Sequence, residues 1–86
     1  MSGIFFRNAR AMEAKLLTCT VHFHSVHLGK PLESIQLPDG CQFLGLVRAD
    51  KLVRLQQNPV IQDGDCLIAI ALNSARSSSL ENVLQL

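Results

Sequence analysis

The strongest pattern along the chain is an unbroken apolar run that follows an acidic turn, VIQDGDCLIAIAL at residues 60–72. The run is too short to cross a bilayer, which needs about 20 apolar residues. It also lacks the alternation of apolar and polar residues that marks a strand with one face in water. We therefore predict a strand at 66–72 that is covered on both faces.

The two faces of this predicted strand differ in the size of their side chains. The bulky row, which we expect to meet the domain's own core, is Cys66, Ile68, Ile70 and Leu72. The smaller row, which we assign as an interface, is Leu67, Ala69 and Ala71. Small side chains let another element approach closely, and an apolar face gains roughly 25 cal/mol for each Å² that is buried. The covering element is either a second helix of this chain, from 1–15 or 80–84, or a dimer partner.

Upstream, the pattern predicts one more strand and a short helix. Residues 17–24 alternate apolar and polar side chains, as a half-buried strand does. Residues 28–35 are expected to form a helix with Pro31 in its first turn, where the missing N–H costs nothing. Pro38 and Gly40 then end the helix and turn the chain.

Between these elements and the final strand, the pattern predicts a hairpin. Residues 42–48 and 51–55 read as two strands joined by a tight connection at 49–50. Gly64 and Asp65 form the last turn, because glycine takes positive φ without a Cβ penalty. The predicted order is strand, helix, strand, strand, strand, which is an α+β domain with a small, mainly antiparallel four-stranded sheet.

The chain divides into three predicted parts. Residues 1–15 form a tail or linker helix, 16–72 form the domain, and 73–86 form a C-terminal tail. Ser78 and Glu81 have the spacing of a capping box, so the tail forms either a short helix or a disordered exit.

Composition narrows the class of protein further. The chain has 86 residues, of which 48% are hydrophobic, and a net charge of +1. A chain this small cannot easily bury so many apolar residues by itself, which favours a dimer. The absence of clustered Lys and Arg excludes a nucleic-acid surface. Cys19, Cys41 and Cys66 form no CxxC pair, so we expect reduced, buried thiols in a cytoplasmic protein.

Two sets of side chains suggest site chemistry. His22 and His24 share a predicted strand face with His27 close by, which is a weak candidate for zinc; the simpler interpretation is exposed polar positions. Arg48 and Arg54 lie on the predicted hairpin, where they are either solvated or hold a phosphate on one rim. We expect Asp63 and Asp65 to bond turn amides and not to act as an acid–base pair.

The chain resembles the TrkA-C domain, the C-terminal half of the RCK modules that regulate bacterial potassium channels and transporters. The residues that carry this resemblance are Gly29, Lys30, Leu32 and Ile35, then Pro38 and Gly40, the run 43–47 closing on Arg48, and 60–62 before Gly64 and Asp65. The resemblance covers about residues 16–72. Two features depart from it: Leu55 stands where members commonly have a proline, and the GxGxxG motif of the nucleotide-binding half is absent.

The resemblance implies a homodimer and, in some members, an effector such as cyclic di-AMP bound between the two copies. It also implies a membrane cation channel or transporter as partner, which would bring a cytoplasmic domain to the inner face of the membrane. The residues we expect to contact an anionic ligand are Leu28, Gly29, Lys30 and Leu32 with Arg48 and Arg54. We expect no catalysis and no cofactor. The alternative is a structural dimerisation module without ligand, and a zinc-dependent or thiol enzyme is a more distant third.

Overall fold

The structure, a computed structural model, describes residues 14–86. Four strands form one antiparallel sheet: β1 (Lys15–Thr20), β2 (Cys41–Arg48), β3 (Lys51–Arg54) and β4 (Cys66–Ala71). The spatial order is β1-β4-β2-β3. One helix, α1 (Ser77–Leu84), follows the last strand, and three short 3₁₀ turns lie at Leu32–Ser34, Leu55–Gln57 and Ser74–Arg76. The predicted α+β class is confirmed; the expectation for 1–15 lies almost wholly outside the described residues.

The core cluster packs α1 and the alanine row of β4 together with buried residues of β2 and of the connecting segments, namely Phe43, Leu46, Val21, Leu32 and Ile61. Ala69 and Ala71 are fully buried, as are Leu67 and the helix residue Leu80, while Leu84 is nearly so. The expectation that the bulky row of β4 faces the core is therefore wrong. Alanines in the central strand let the helix lie close to the sheet, which a row of isoleucines would prevent. Of the covering elements left open by the sequence, the structure places the C-terminal helix on this row.

The segment predicted as a helix at 28–35 forms only a single 3₁₀ turn. Its backbone is engaged by the chain at 59–61. The Gly29 N–H donates to the Ile61 carbonyl, the Ile61 N–H donates to the Lys30 carbonyl, and the Leu32 N–H donates to the Pro59 carbonyl, each at 2.9 Å. These bonds take groups that an α-helix would need for its own ladder.

Strand β1 ends at Thr20, earlier than predicted, and the chain at 22–25 turns. The hairpin of β2 and β3 is confirmed, with Ala49 and Asp50 at φ of +51° and +64°. Two positive φ values in a two-residue loop match the twist of the flanking strands.

The predicted capping box is wrong, because α1 begins at Ser77 and Ser78 already lies inside its first turn. Asn73 caps the preceding 3₁₀ turn instead, by accepting the Ala75 N–H at 2.9 Å.

Candidate functional site

The side of the sheet opposite α1 carries no other element among residues 14–86, and we call it the open face. Its members are Leu16, Thr18 and Thr20 of β1; Cys66, Ile68 and Ile70 of β4; Gln42, Leu44, Gly45 and Val47 of β2; and Leu52 and Arg54 of β3. The isoleucines are half-buried by their neighbours, whereas Leu16 and Leu52 at the two edges are 57% and 60% exposed. The open face is thus a mostly apolar surface in contact with solvent.

The strand register sets out the open face in rows. The central row is Thr18, Ile68, Gly45 and Arg54; one flanking row is Thr20, Cys66, Val47 and Leu52; the other is Leu16, Ile70 and Gln42. A β-bulge at 43–45 places Leu44 as an extra residue beside Gly45. Gly45 has no side chain, so the side chains of the central row are those of Thr18, Ile68 and Arg54, and Leu44 beside Gly45 is 40% exposed.

Gly45 is required by the sheet itself. A Cβ atom built there would collide with the carbonyl oxygen of Val53 on the neighbouring strand. A glycine is therefore required at this position by the close approach of β3 to the bulge.

The two arginines proposed to share one rim point to opposite faces of the sheet. Arg48 pairs with Lys51 and lies two residues from the core residue Leu46, so it projects on the core side. Arg54 pairs with Gly45 and projects on the open face. The three-residue separation along β3 between Lys51 and Arg54 places them in alternate directions, so the shared phosphate site is wrong.

Arg48 is held by a buried carboxylate. Its Nε donates to Oδ1 of Asp65 at 2.9 Å and its Nη2 donates to Oδ2 at 2.6 Å, a bidentate ion pair. Asp65 is 2% exposed and also accepts the Gln62 N–H at 2.8 Å. The hydrogen bonds from Arg48 lower the pKa of Asp65, while burial opposes this and the Gln62 amide supports it.

The same guanidinium joins three segments. Nη2 of Arg48 also donates to the carbonyl of Val60 at 2.8 Å, within the 59–61 segment whose Ile61 bonds Gly29 and Lys30. The backbone N–H of Val21, just beyond β1, donates to the Asp65 carbonyl at 2.7 Å. The pair thus links the end of β2, the turn before β4 and the end of β1.

Of the other residues expected to bind an anion, some are exposed and others are buried. Gly29 and Lys30 are exposed and bonded to Ile61, whereas Arg48 bonds the carbonyl of Val60, which points to the other side of that strip. Leu32 is fully buried and Leu28 packs half-buried against the core, so Leu32 is unavailable to a ligand. Gly40 and Gly64 sit in turns at φ of +77° and +89°.

The three histidines do not converge. His22 and His24 are exposed in the turn after β1, whereas His27 is buried and its Nε2 donates to the Val83 carbonyl of α1 at 2.7 Å. Across 14–86 no three side chains of His, Cys, Asp or Glu are placed to hold a metal ion. The zinc interpretation therefore has no geometric support in this part of the chain.

The cysteines are free and half-buried. Burial raises the pKa of the Cys19 thiol, with further contributions from Cys66 and Glu81. A thiol whose pKa is raised is less ionised and so a weaker nucleophile. Beside it, an open cavity of about 610 Å³ lies between the turn at 21–25 and the end of α1, lined in part by Phe23 and Leu86.

No protein-family model matches the chain, and no curated protein matches it in sequence. In the described part of the chain, none of the helices has both the length and the apolar character to span a membrane.

Proposed function

We propose that the chain is a non-enzymatic regulatory domain of a potassium or other cation channel or transporter system, and that it works as a homodimer. The cytoplasmic regulatory role follows from the resemblance to TrkA-C. The four-stranded α+β fold and its element order are compatible with that resemblance, and they do not test it. Association is the part of the proposal that rests on the molecule's own geometry.

The observation that carries association is the open face. Leu16 and Leu52 are more than half exposed there, and Leu44 is 40% exposed. Complete burial of a leucine is worth about 1.5–3 kcal/mol, so covering the exposed parts of Leu16 and Leu52 alone favours association by about 2 kcal/mol per copy. A contiguous apolar surface of this kind marks an interaction site.

Light scattering after size-exclusion chromatography tests association. The full chain is loaded over a wide range of concentrations, and its mass is read at each. A mass that rises towards twice that of one chain supports the proposal. A constant single-chain mass at every concentration would remove its geometric basis.

An anionic effector is the second part of the proposal. What supports it is a cation on each side of the 60–61 strip: Lys30, which is exposed, bonds Ile61, and Arg48 bonds Val60. Only part of the Arg48 guanidinium is engaged by Asp65 and Val60, and its side chain is 33% exposed. Guanidinium and ammonium groups of this kind are suited to binding a phosphate group.

Thermal unfolding with cyclic di-AMP, adenine nucleotides and NADH tests the effector. A ligand at about 100 times its dissociation constant should stabilise the fold by about 2.7 kcal/mol. We expect Lys30→Ala to lose the response and Lys15→Ala, an exposed lysine at the opposite end of the sheet, to keep it. If no nucleotide stabilises the protein but it dimerises, the domain is a structural dimerisation module without ligand.

A further inference from the structure

We infer that two copies of the chain pack their open faces together about a two-fold axis that runs along the strands, with Ile68 of each copy over Gly45 of the other. This inference rests on the homodimer of the proposed function. It adds which surface is buried and in which orientation.

The size of the open face fits a dimer that dissociates readily. Four strands about 4.8 Å apart and about six residues long, at about 3.3 Å each, make a face of about 20 by 20 Å. This area of about 400 Å² is about half of the roughly 800 Å² per partner of a standard interface. We therefore expect dissociation in the micromolar range.

Two orientations of the two-fold axis are compatible with face-to-face sheets, because aligned packing keeps the strands within about 30° of each other. With the axis along the strands, β4 of one copy lies over β2 of the other and β1 lies over β3. With the axis across the strands, each strand lies over its own counterpart, and the two flanking rows exchange places.

Charge separates these two orientations. Within residues 14–86, Arg54 is the only charged side chain in the rows of the open face. An axis across the strands would place Arg54 against Arg54 of the second copy, and like charges facing each other across an interface are strongly unfavourable. An axis along the strands places Arg54 over Thr18, whose hydroxyl oxygen accepts a hydrogen bond.

Side-chain size favours the same orientation. In the central row, the large side chain of Ile68 stands beside Gly45, which has none. With the axis along the strands, Ile68 of each copy lies over Gly45 of the other, and this happens twice by symmetry. With the axis across the strands, Ile68 would meet Ile68 and Gly45 would meet Gly45. A large residue and a glycine side by side in one row make the surface complementary to itself, which argues for a second copy as its occupant.

The native thiol at Cys66 reports the orientation. With the axis along the strands, the two Cys66 residues are offset by one strand spacing of about 4.8 Å across a gap of about 10 Å. With the axis across the strands, Cys66 lies over Ile70 of the second copy, and the two Cys66 residues are offset by about 13 Å along the strand direction. A short bis-maleimide therefore joins two Cys66 thiols only in the first case.

The experiment treats three full-length variants with this reagent at a concentration where the protein is dimeric. The first keeps Cys66 alone, through Cys19→Ala and Cys41→Ala. The second adds Ile70→Cys to the first. The third keeps Cys19 alone, a residue on the core side of the sheet, as a control. Circular dichroism checks that each variant is folded.

We expect Cys66 alone to give linked dimer at least about tenfold above the Cys19 control, since association raises the local thiol concentration into the millimolar range. Linkage that appears only when Ile70→Cys is added to Cys66 would overturn the inference in favour of the other axis. If the protein is dimeric but the reagent cross-links none of the variants, the dimer uses another surface, and the inference is likewise overturned. A chain that is monomeric throughout, with Cys66 protected by residues 1–13, contradicts the proposed homodimer itself.

Discussion

The ion pair between Arg48 and Asp65 should carry a large share of the stability of this small domain. Arg48→Met removes the guanidinium and leaves a carboxylate that is 2% exposed with only the Gln62 amide as donor. Breaking a buried pair in this way costs about 3–5 kcal/mol. Because Arg48 itself is one-third exposed, we expect a smaller cost, about 2–4 kcal/mol.

The reverse change should cost less. Asp65→Asn removes the charge from the buried site and leaves Arg48, which can turn its exposed part to water. The loss is then that of hydrogen bonds to a charged group, about 1.5–3 kcal/mol. The total free energy of unfolding of a chain this size is only about 4–13 kcal/mol, so either change should be visible.

The pH dependence has a definite sign. The pair lowers the pKa of Asp65 in the folded state, so its contribution is fully present above the unfolded value of about 3.9. It is lost as the pH falls through the lower folded pKa. The deficit of Arg48→Met relative to the wild type should therefore shrink between pH 5 and pH 3, while Asp65→Asn should show no such titration at this site.

Urea unfolding followed by far-ultraviolet circular dichroism is the suitable assay, since the chain has no Trp or Tyr for fluorescence. Lys15→Met, an exposed strand cation at the opposite end of the sheet, is the matched control and should change stability by less than about 0.5 kcal/mol. The double variant with both Arg48→Met and Asp65→Asn gives the coupling energy between Arg48 and Asp65. A deficit for Arg48→Met no larger than that of the control, or one that does not change with pH, would refute this account.

Two further predictions concern packing. Gly45→Ala should destabilise the fold by more than Gly64→Ala, because a Cβ at 45 meets the Val53 carbonyl whereas a Cβ at 64 meets nothing within 4 Å. The midpoints of urea unfolding compare the two variants, and equal midpoints would contradict the close approach of β3. Ala69→Leu should cost about 1–3 kcal/mol by overfilling the space under α1, while Ile68→Leu on the open face should cost under about 1.5 kcal/mol; the opposite order would mean that the faces of β4 are assigned the wrong way round.

The fold class could be predicted because most elements carry a local signal. The two strands of the hairpin, the turn at Gly64 and the α+β order all follow from alternation and turn chemistry. The faces of β4 could not be assigned from side-chain size, since both rows are apolar. What decides them is the helix at 77–84, whose Leu80 and Leu84 need small partners on the sheet. That is a tertiary preference with no signal in the strand itself.

The candidate site was harder to predict for a related reason. Arg48 and Asp65 lie 17 residues apart, and nothing near either residue indicates the other. The prediction that Asp65 bonds a turn amide is confirmed by its contact with Gln62, but its main partner was missed. The directions of Arg48 and Arg54 could have been predicted by counting from the hairpin turn. Arg48 and Lys51 flank the turn and share one face, and Arg54 lies three residues after Lys51, so it points to the other face.

Sedimentation velocity of the full chain tests the central claim, that the open face is buried by association, most directly. The wild type is compared over a range of concentrations with Leu52→Glu, which puts a carboxylate on the open face at a 60% exposed position, and with Val26→Glu, at a 53% exposed position away from the sheet. We predict that the wild type and Val26→Glu form dimers as concentration rises and that Leu52→Glu stays monomeric. A monomeric wild type at all concentrations, or a Leu52→Glu variant that dimerises like the wild type, would contradict it.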